Sequence, residues 1–199
     1  MEIQGSCDNK FLEVKEMFES LHSSGREVGS SFAMYKDGKA LIDIWGGYTD
    51  KQKTNPWSRN SLATVWSTTK GVAALTCAIA VEKGLLDYEE KVSHYWPEFG
   101  CNGKEDITIG MLLSHQAGIC GSTTNNVHDY YNQQIMSEEL AAMSPIWKPG
   151  TASGYHSMTY GWLTSELIIR VTGKTLGTFY ADEIGNPNDI DFFIGLPES

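Results

Sequence analysis

The sequence predicts an α/β (α+β) fold, in which a mainly helical lobe accompanies an incomplete antiparallel sheet. Three observations carry this expectation. A hairpin signal lies near the amino end, several segments after residue 66 repeat their apolar residues at helical spacing, and no further convincing strand follows the hairpin. A two-stranded hairpin is a poor sheet by itself. Either helices cover both faces of a very small sheet, or strands belonging to it are missing.

The elements follow in order. Residues 10–21 place Phe11, Val14, Met17, Phe18 and Leu21 on one helical face, with Gly25 as the stop. Residues 30–35 and 40–45 are strand-like runs joined by Lys36-Asp37-Gly38-Lys39, and Asp-Gly between such runs is a strong hairpin cue. Phe32, Met34, Ile42 and Ile44 are expected on one face. Residues 46–66 are polar and broken by Asn55-Pro56, which predicts a loop. A helix is expected over 67–83 with Gly84 as its left-handed cap. Its many small side chains predict close packing on most sides. A short helix begins at Thr108 and stops before Gly118. Another is expected to open at Ser137, where Glu138 and Glu139 suit the helix dipole. Residues 159–171 form a third, ended by Gly173, and 174–184 a fourth.

Composition narrows the function. The 199 residues suit one domain, or one lobe of a larger one. With 41% hydrophobic residues the chain can bury a core, which excludes a disordered protein. A net charge of −10 excludes a nucleic-acid binder, because phosphate neutralisation needs clustered Lys and Arg. The most apolar stretch, residues 71–81, falls well short of the roughly 20 needed to span a bilayer. The first eight residues lack the basic-then-apolar layout of a signal peptide, so a cytoplasmic location is expected. Cys7, Cys77, Cys101 and Cys120 are far apart and are expected as free thiols. His22, His94, His115, His128 and His156 never fall at a metal-ligand spacing, and neither metal nor cofactor is expected.

The chemistry-bearing residues form three groups. Ser67-Thr68-Thr69-Lys70 puts a hydroxyl and an amine at i and i+3, about one turn apart on one helix face. A serine becomes a nucleophile once a nearby base takes its proton, and the positive end of a helix favours the alkoxide. By itself such a spacing is also a helix cap followed by a surface lysine. The second group is Pro149-Gly150-Thr151-Ala152-Ser153-Gly154-Tyr155-His156-Ser157, a tight loop ahead of a helix that can present a phenol to a cleft. Tyr155 packed on the surface is the alternative, and His156 is a second candidate base. The third, Ser114-His115, cannot form a dyad on one helix because neighbouring side chains point apart, so a structural histidine at a helix end is expected. Asp43, Asp87, Glu89 and Glu90 read as an acidic, solvated surface.

Trp66-Ser67-Thr68-Thr69-Lys70-Gly71, then Tyr95-Trp96-Pro97-Glu98-Phe99, then Ile107-Thr108-Ile109 through Leu112-Leu113-Ser114-His115, then Trp147-Lys148-Pro149-Gly150-Thr151 through Tyr155, stand in an order that resembles the serine β-lactamase-related family. That family includes class C β-lactamases, DD-peptidases, serine esterases and eukaryotic β-lactamase-domain proteins, the last two being the most similar. The resemblance covers residues 11–197. It implies a β-lactamase/transpeptidase-like fold and a serine hydrolase that cleaves an ester or amide through an acyl-Ser67 intermediate, with Lys70 as partner and Tyr155 as proton relay. Ser157 and His156 are the expected substrate-binding side chains. The family's second motif usually reads Tyr-x-Asn, and here it is Tyr155-His156-Ser157.

Family members continue past the equivalent of Pro197 into further strands, one carrying a third motif that supplies an oxyanion N–H. The chain is therefore expected to be the amino-terminal and helical part of the domain, without its carboxy-terminal strands. Loss of one oxyanion donor lowers the rate by about 10²–10³. The partners expected are a small-molecule ester or amide substrate, and a second copy or another protein covering an exposed sheet edge. A catalytically inactive or truncated member acting as an interaction or scaffold protein is the alternative.

Overall fold

The computed structural model describes residues 2–196. Pro197, the last residue of the resembling span, lies outside them. The chain divides into two units, Met1–Thr64 and Val65–Ser199.

In the first unit, strand β1 (Gln4–Cys7) and helix α1 (Leu12–Ser23) precede strands β2 (Gly29–Lys36) and β3 (Lys39–Gly47). The sheet is antiparallel with the order β1-β3-β2. Asp37 and Gly38 both take positive φ, +50° and +74°, as a two-residue hairpin turn of this hand requires. Phe32 pairs with Ile44 and Met34 with Ile42, so these four do share a face. Ile42 and Ile44 are fully buried and pack with Ile3.

Strand β1 was not foreseen, because Gln-Gly-Ser-Cys has no alternating pattern. Pairing across the sheet makes it a strand: Gly5 lies opposite Ile44, where a Cβ would stand 2.0 Å from the Asp43 carbonyl oxygen. Helix α1 also starts later than its periodicity predicts. The Asp8 carboxylate accepts the Lys10 N–H at 2.9 Å and winds residues 9–11 into a 3₁₀ turn first. The expected loop after β3 is a bonded one, the Asp50 carboxylate accepting the N–H groups of Thr54 (3.1 Å) and Asn55 (2.8 Å).

The second unit is helical. A 3₁₀ turn, Trp66–Thr68, runs into α2 (Thr69–Glu82), followed by α3 (Val92–Tyr95), α4 (Ile109–Leu113), α5 (Gln133–Ala142), α6 (Thr159–Thr172) and α7 (Leu176–Tyr180). Helix α6 is its centre: Tyr160, Leu163, Leu167 and Ile168 are buried, and α2, α5 and α7 pack on it. Helix α2 buries Ala73, Thr76, Cys77 and Ala80, a stripe of small residues at i, i+3, i+4 and i+7. Most of its faces are at least partly covered, as its small side chains predict, but Leu75 is half exposed.

Local signals hold where they are chemical. Thr108 Oγ1 accepts the Met111 N–H at 3.2 Å to cap α4, and Gly173 closes α6 at φ +71°. Helix α5 corrects the sequence reading: it opens four residues before Ser137, because Asn132 Oδ1 caps the Ile135 N–H at 3.2 Å. Ser137 is buried inside the helix and donates back to the Gln134 carbonyl at 3.1 Å. Helix α3 is a single turn, too short to show a period.

Lys104 is an unforeseen part of the core. Its side chain is fully buried, and Nζ donates to the carbonyl of Cys101 at 2.9 Å and to that of Met143, just past α5. Nζ also lies 5.3 Å from the centre of the Phe99 ring. Burial pulls its pKa down. Cys7, Cys77, Cys101 and Cys120 are free thiols, and burial pushes Cys77 up to about 12, leaving it unreactive at neutral pH. Among the described residues no helix is long and apolar enough to cross a membrane.

Candidate active site

Ser67 and Lys70 sit at the start of the α2 segment. Trp66, immediately before Ser67, has φ +48°, a left-handed conformation that costs a non-glycine residue about 1–2 kcal/mol. Sharp entry into the helix leaves Ser67 exposed on its first turn. Lys70 Nζ donates to Ser67 Oγ at 3.1 Å, as the i, i+3 spacing anticipates. The same Nζ donates to the Ser157 carbonyl at 2.7 Å, a bond that spans 87 residues of sequence. Lys70 is thus held at both its targets, and its Nζ stands 4.9 Å from the centre of the Tyr155 ring.

The Tyr155 loop is laced to the segment after α4. Gly150 N–H donates to the Gln116 carbonyl at 3.1 Å, Ser153 Oγ to the Ser114 carbonyl at 3.2 Å, and Gly154 N–H to the His115 carbonyl at 3.0 Å. A Cβ at Gly154 would stand 2.4 Å from the Trp147 ring, so only glycine lets the loop lie this close. The result brings the Tyr155 phenol to Ser67 and Lys70. The Ser67 hydroxyl and then the Lys70 cation lower its pKa from the ordinary phenol value. Tyr155 is 56% and Trp66 83% exposed, so the group opens to water, which weakens each of these interactions.

Two of the expected site residues take other roles. His156 departs from its expected contact with substrate: it is fully buried. Its Nε2 accepts the Ile119 N–H at 3.1 Å, which puts the proton on Nδ1, donated to the Gly154 carbonyl at 2.7 Å. Both nitrogens serve the main chain, and the ring is a brace under the loop. Ser157 is exposed as a substrate contact must be, yet the interaction it makes with the site is through its carbonyl on Lys70.

Three imidazoles are held below their ordinary value, in each case first by burial. These are His156 and His115 here, and His22 in the first unit. His22 Nε2 lies 3.0 Å from Ser30 Oγ, and its Nδ1 has no partner among the described residues. The sign follows from linkage: the unfolded chain binds protons near pH 6.5 that the folded chain refuses. Stability is therefore undiminished above that value and falls as pH drops through it toward the lower folded-state values. Urea denaturation at about pH 7.5 and about pH 5.5 checks this. The midpoint is expected to be lower at the acid value, and equal midpoints would mean that these rings titrate freely.

A family model described as Beta-lactamase matches residues 14–199. The chain belongs to the Beta-lactamase family. Esterase/beta-lactamase LipL of Mycobacterium tuberculosis (strain ATCC 25618 / H37Rv) is 38% identical over 194 residues, which are 97% of this chain and 45% of that protein. The crystal structure of a family VIII carboxylesterase matches with a TM-score of 0.90 and 41% identity over 99% of this chain and 55% of the other. A penicillin-binding protein homolog from Caulobacter crescentus gives a TM-score of 0.92 and 39% identity, over 100% and 54%. The fold is thus β-lactamase/transpeptidase-like. The chain spans about half the length of these Beta-lactamase relatives.

Proposed function

We propose that this chain carries a serine-hydrolase site that cleaves an ester or amide through an acyl-Ser67 intermediate. The observation that carries the reading is the double hold on Lys70 Nζ, 3.1 Å from Ser67 Oγ and 2.7 Å from the Ser157 carbonyl. Relatives named as an esterase/beta-lactamase and a carboxylesterase support it, and favour an ester.

The chemistry balances within the three side chains. From the form in which Lys70 is deprotonated, Ser67 Oγ attacks the acyl carbon as its proton passes to Lys70, and the bond to the leaving alcohol or amine breaks as Tyr155 gives its own proton to that group and takes the one Lys70 holds. Water then attacks the same carbon along the reverse proton path, releasing the acid and restoring Ser67. The Ser67 N–H, in the first turn of its helix, is the oxyanion donor within this chain.

Intact-mass spectrometry after exposure to a fluorophosphonate tests the proposal, with turnover of a chromogenic short-chain ester alongside. One adduct mapping to Ser67 is expected, and none in Ser67→Ala. A chain that takes no label, or takes it equally in Ser67→Ala, would rule the hydrolase reading out.

A further inference from the structure

His115 is the residue through which the Tyr155 loop is gripped on both sides of the tyrosine. The N–H before Tyr155, that of Gly154, donates to the His115 carbonyl at 3.0 Å. The N–H after it, that of His156, donates to His115 Nδ1 at 3.1 Å. Between these bonds the imidazole lies against the phenol ring, with centroids 5.2 Å apart and planes tilted by 52°. Tyr160 of α6 backs the imidazole from the interior at 4.9 Å. The His115 main chain has φ +65°, a disfavoured conformation for a residue with a side chain, and the surrounding bonds hold it there. That left-handed turn lets one residue aim its carbonyl and its ring at the same loop.

We propose that His115 is the positioning residue that sets Tyr155 against Ser67 and Lys70, and that it does so only as the neutral imidazole. The proposal rests on the hydrolase reading for its consequence in catalysis, while the positioning itself stands on these contacts. Nδ1 can accept the His156 N–H only while it carries no proton, which puts the ring hydrogen on Nε2. A second proton would set N–H against N–H, breaking the grip on the carboxyl side of Tyr155.

The groups facing the ring disfavour that second proton. Burial first, and then the charge of Lys70 approaching from α2, lower the imidazole pKa. From the loop come Tyr155 and His156, whose pKa burial also lowers. From α6 comes Tyr160, pushed up to about 12 and therefore a neutral phenol. On its own turn, Ser114 and Gln116 carry no charge.

Three variants separate positioning from bulk structure. Asparagine tolerates the left-handed conformation and carries Oδ1 where histidine carries Nδ1, so His115→Asn keeps the acceptor and cannot titrate near neutrality. His115→Gln fills the site with its polar atoms one bond too far out. His115→Ala removes the side chain. Each is made with and without Tyr155→Phe, so that an ultraviolet difference titration reads the Tyr155 phenol, and fluorophosphonate labelling of Ser67 is followed against pH.

His115→Asn is expected to keep the lowered Tyr155 titration and to label within about threefold of the parent, with a shallower decline from about pH 7 to about pH 5. His115→Gln and His115→Ala are expected to return Tyr155 toward the ordinary phenol value near 10 and to lose about 10- to 100-fold in labelling. Should the alanine chain unfold by circular dichroism, the asparagine–glutamine pair carries the test. Wild-type Tyr155 titration in His115→Ala or His115→Gln, or an asparagine chain as impaired as the glutamine one, overturns the proposal. If Ser67 takes no label even in the parent, the hydrolase reading fails, and the Tyr155 titration alone decides the role of His115.

Discussion

Lys70→Met is expected to slow acylation of Ser67 by about 10²–10⁴-fold, the usual worth of a positioned proton-transfer group. Methionine keeps the length and the apolar stem but gives up both bonds from Nζ, to Ser67 Oγ and to the Ser157 carbonyl. It also removes the cation that helps lower the Tyr155 phenol, so the proton relay loses two members at once. Lys70→Arg separates the possible reasons for the loss. A guanidinium supplies the charge and the hydrogen bonds but stays protonated, so it cannot carry the Ser67 proton. Arginine is therefore expected to lose nearly as much as methionine. Labelling rates and ester turnover, measured beside an unchanged circular dichroism spectrum, check both variants. An arginine chain with near-parental rates would reduce Lys70 to an electrostatic role.

Lys104→Ala is expected to cost about 1–3 kcal/mol, from the part-buried Met143 carbonyl left without its donor, while the Cys101 carbonyl keeps the main-chain N–H of residue 104 at 3.1 Å. In the parent, one ammonium ties the carbonyls of Cys101 and Met143 together, residues 42 positions apart in the chain. A domain of this size has only about 5–15 kcal/mol of stability in total, so the loss is a measurable share of it. Lys104→Met is expected to recover part of it, since its apolar stem still fills the volume beside Phe99. Urea denaturation compares the three chains. A Lys104→Ala chain indistinguishable in stability from the parent would show that water, or a shift of the main chain, satisfies the Met143 carbonyl.

The chain covers about half of each relative. Its first unit holds a three-stranded sheet in which the outer edge of β2 has no partner strand among the described residues. Its second unit holds Ser67, Lys70 and Tyr155, joined by contacts made within that unit alone.

Much of the architecture was legible from residues that act on near neighbours. Asp37-Gly38 announced the hairpin because the turn needs two positive φ values, and Thr108 announced α4 because a hydroxyl there meets an N–H three residues on. Ser67 and Lys70 were legible as a pair for the same reason, one helical turn separating them. Where the sequence misled, a local signal lost to a stronger one nearby or to a partner far away. Asn132 outcompeted Ser137 as the cap of α5, and β1 became a strand through pairing with β3 rather than through any pattern of its own.

By itself, then, the sequence determined the class of fold, the order of the family's motifs, and the pairing of Ser67 with Lys70. These depend on torsions, caps and spacings within a turn or two, which the chain carries wherever it goes. The tertiary structure alone decided which side of the Tyr155 loop faces Ser67, that His156 is buried with both ring nitrogens on the main chain, and that the Ser157 carbonyl meets Lys70. It also alone revealed His115 as the grip on Tyr155 and Lys104 as a strut in the core. Each of those outcomes is a hydrogen bond between segments roughly 40 or more residues apart. The entropy of closing such a loop depends hardly at all on which residues lie between, so nothing in a local stretch of sequence marks the partner.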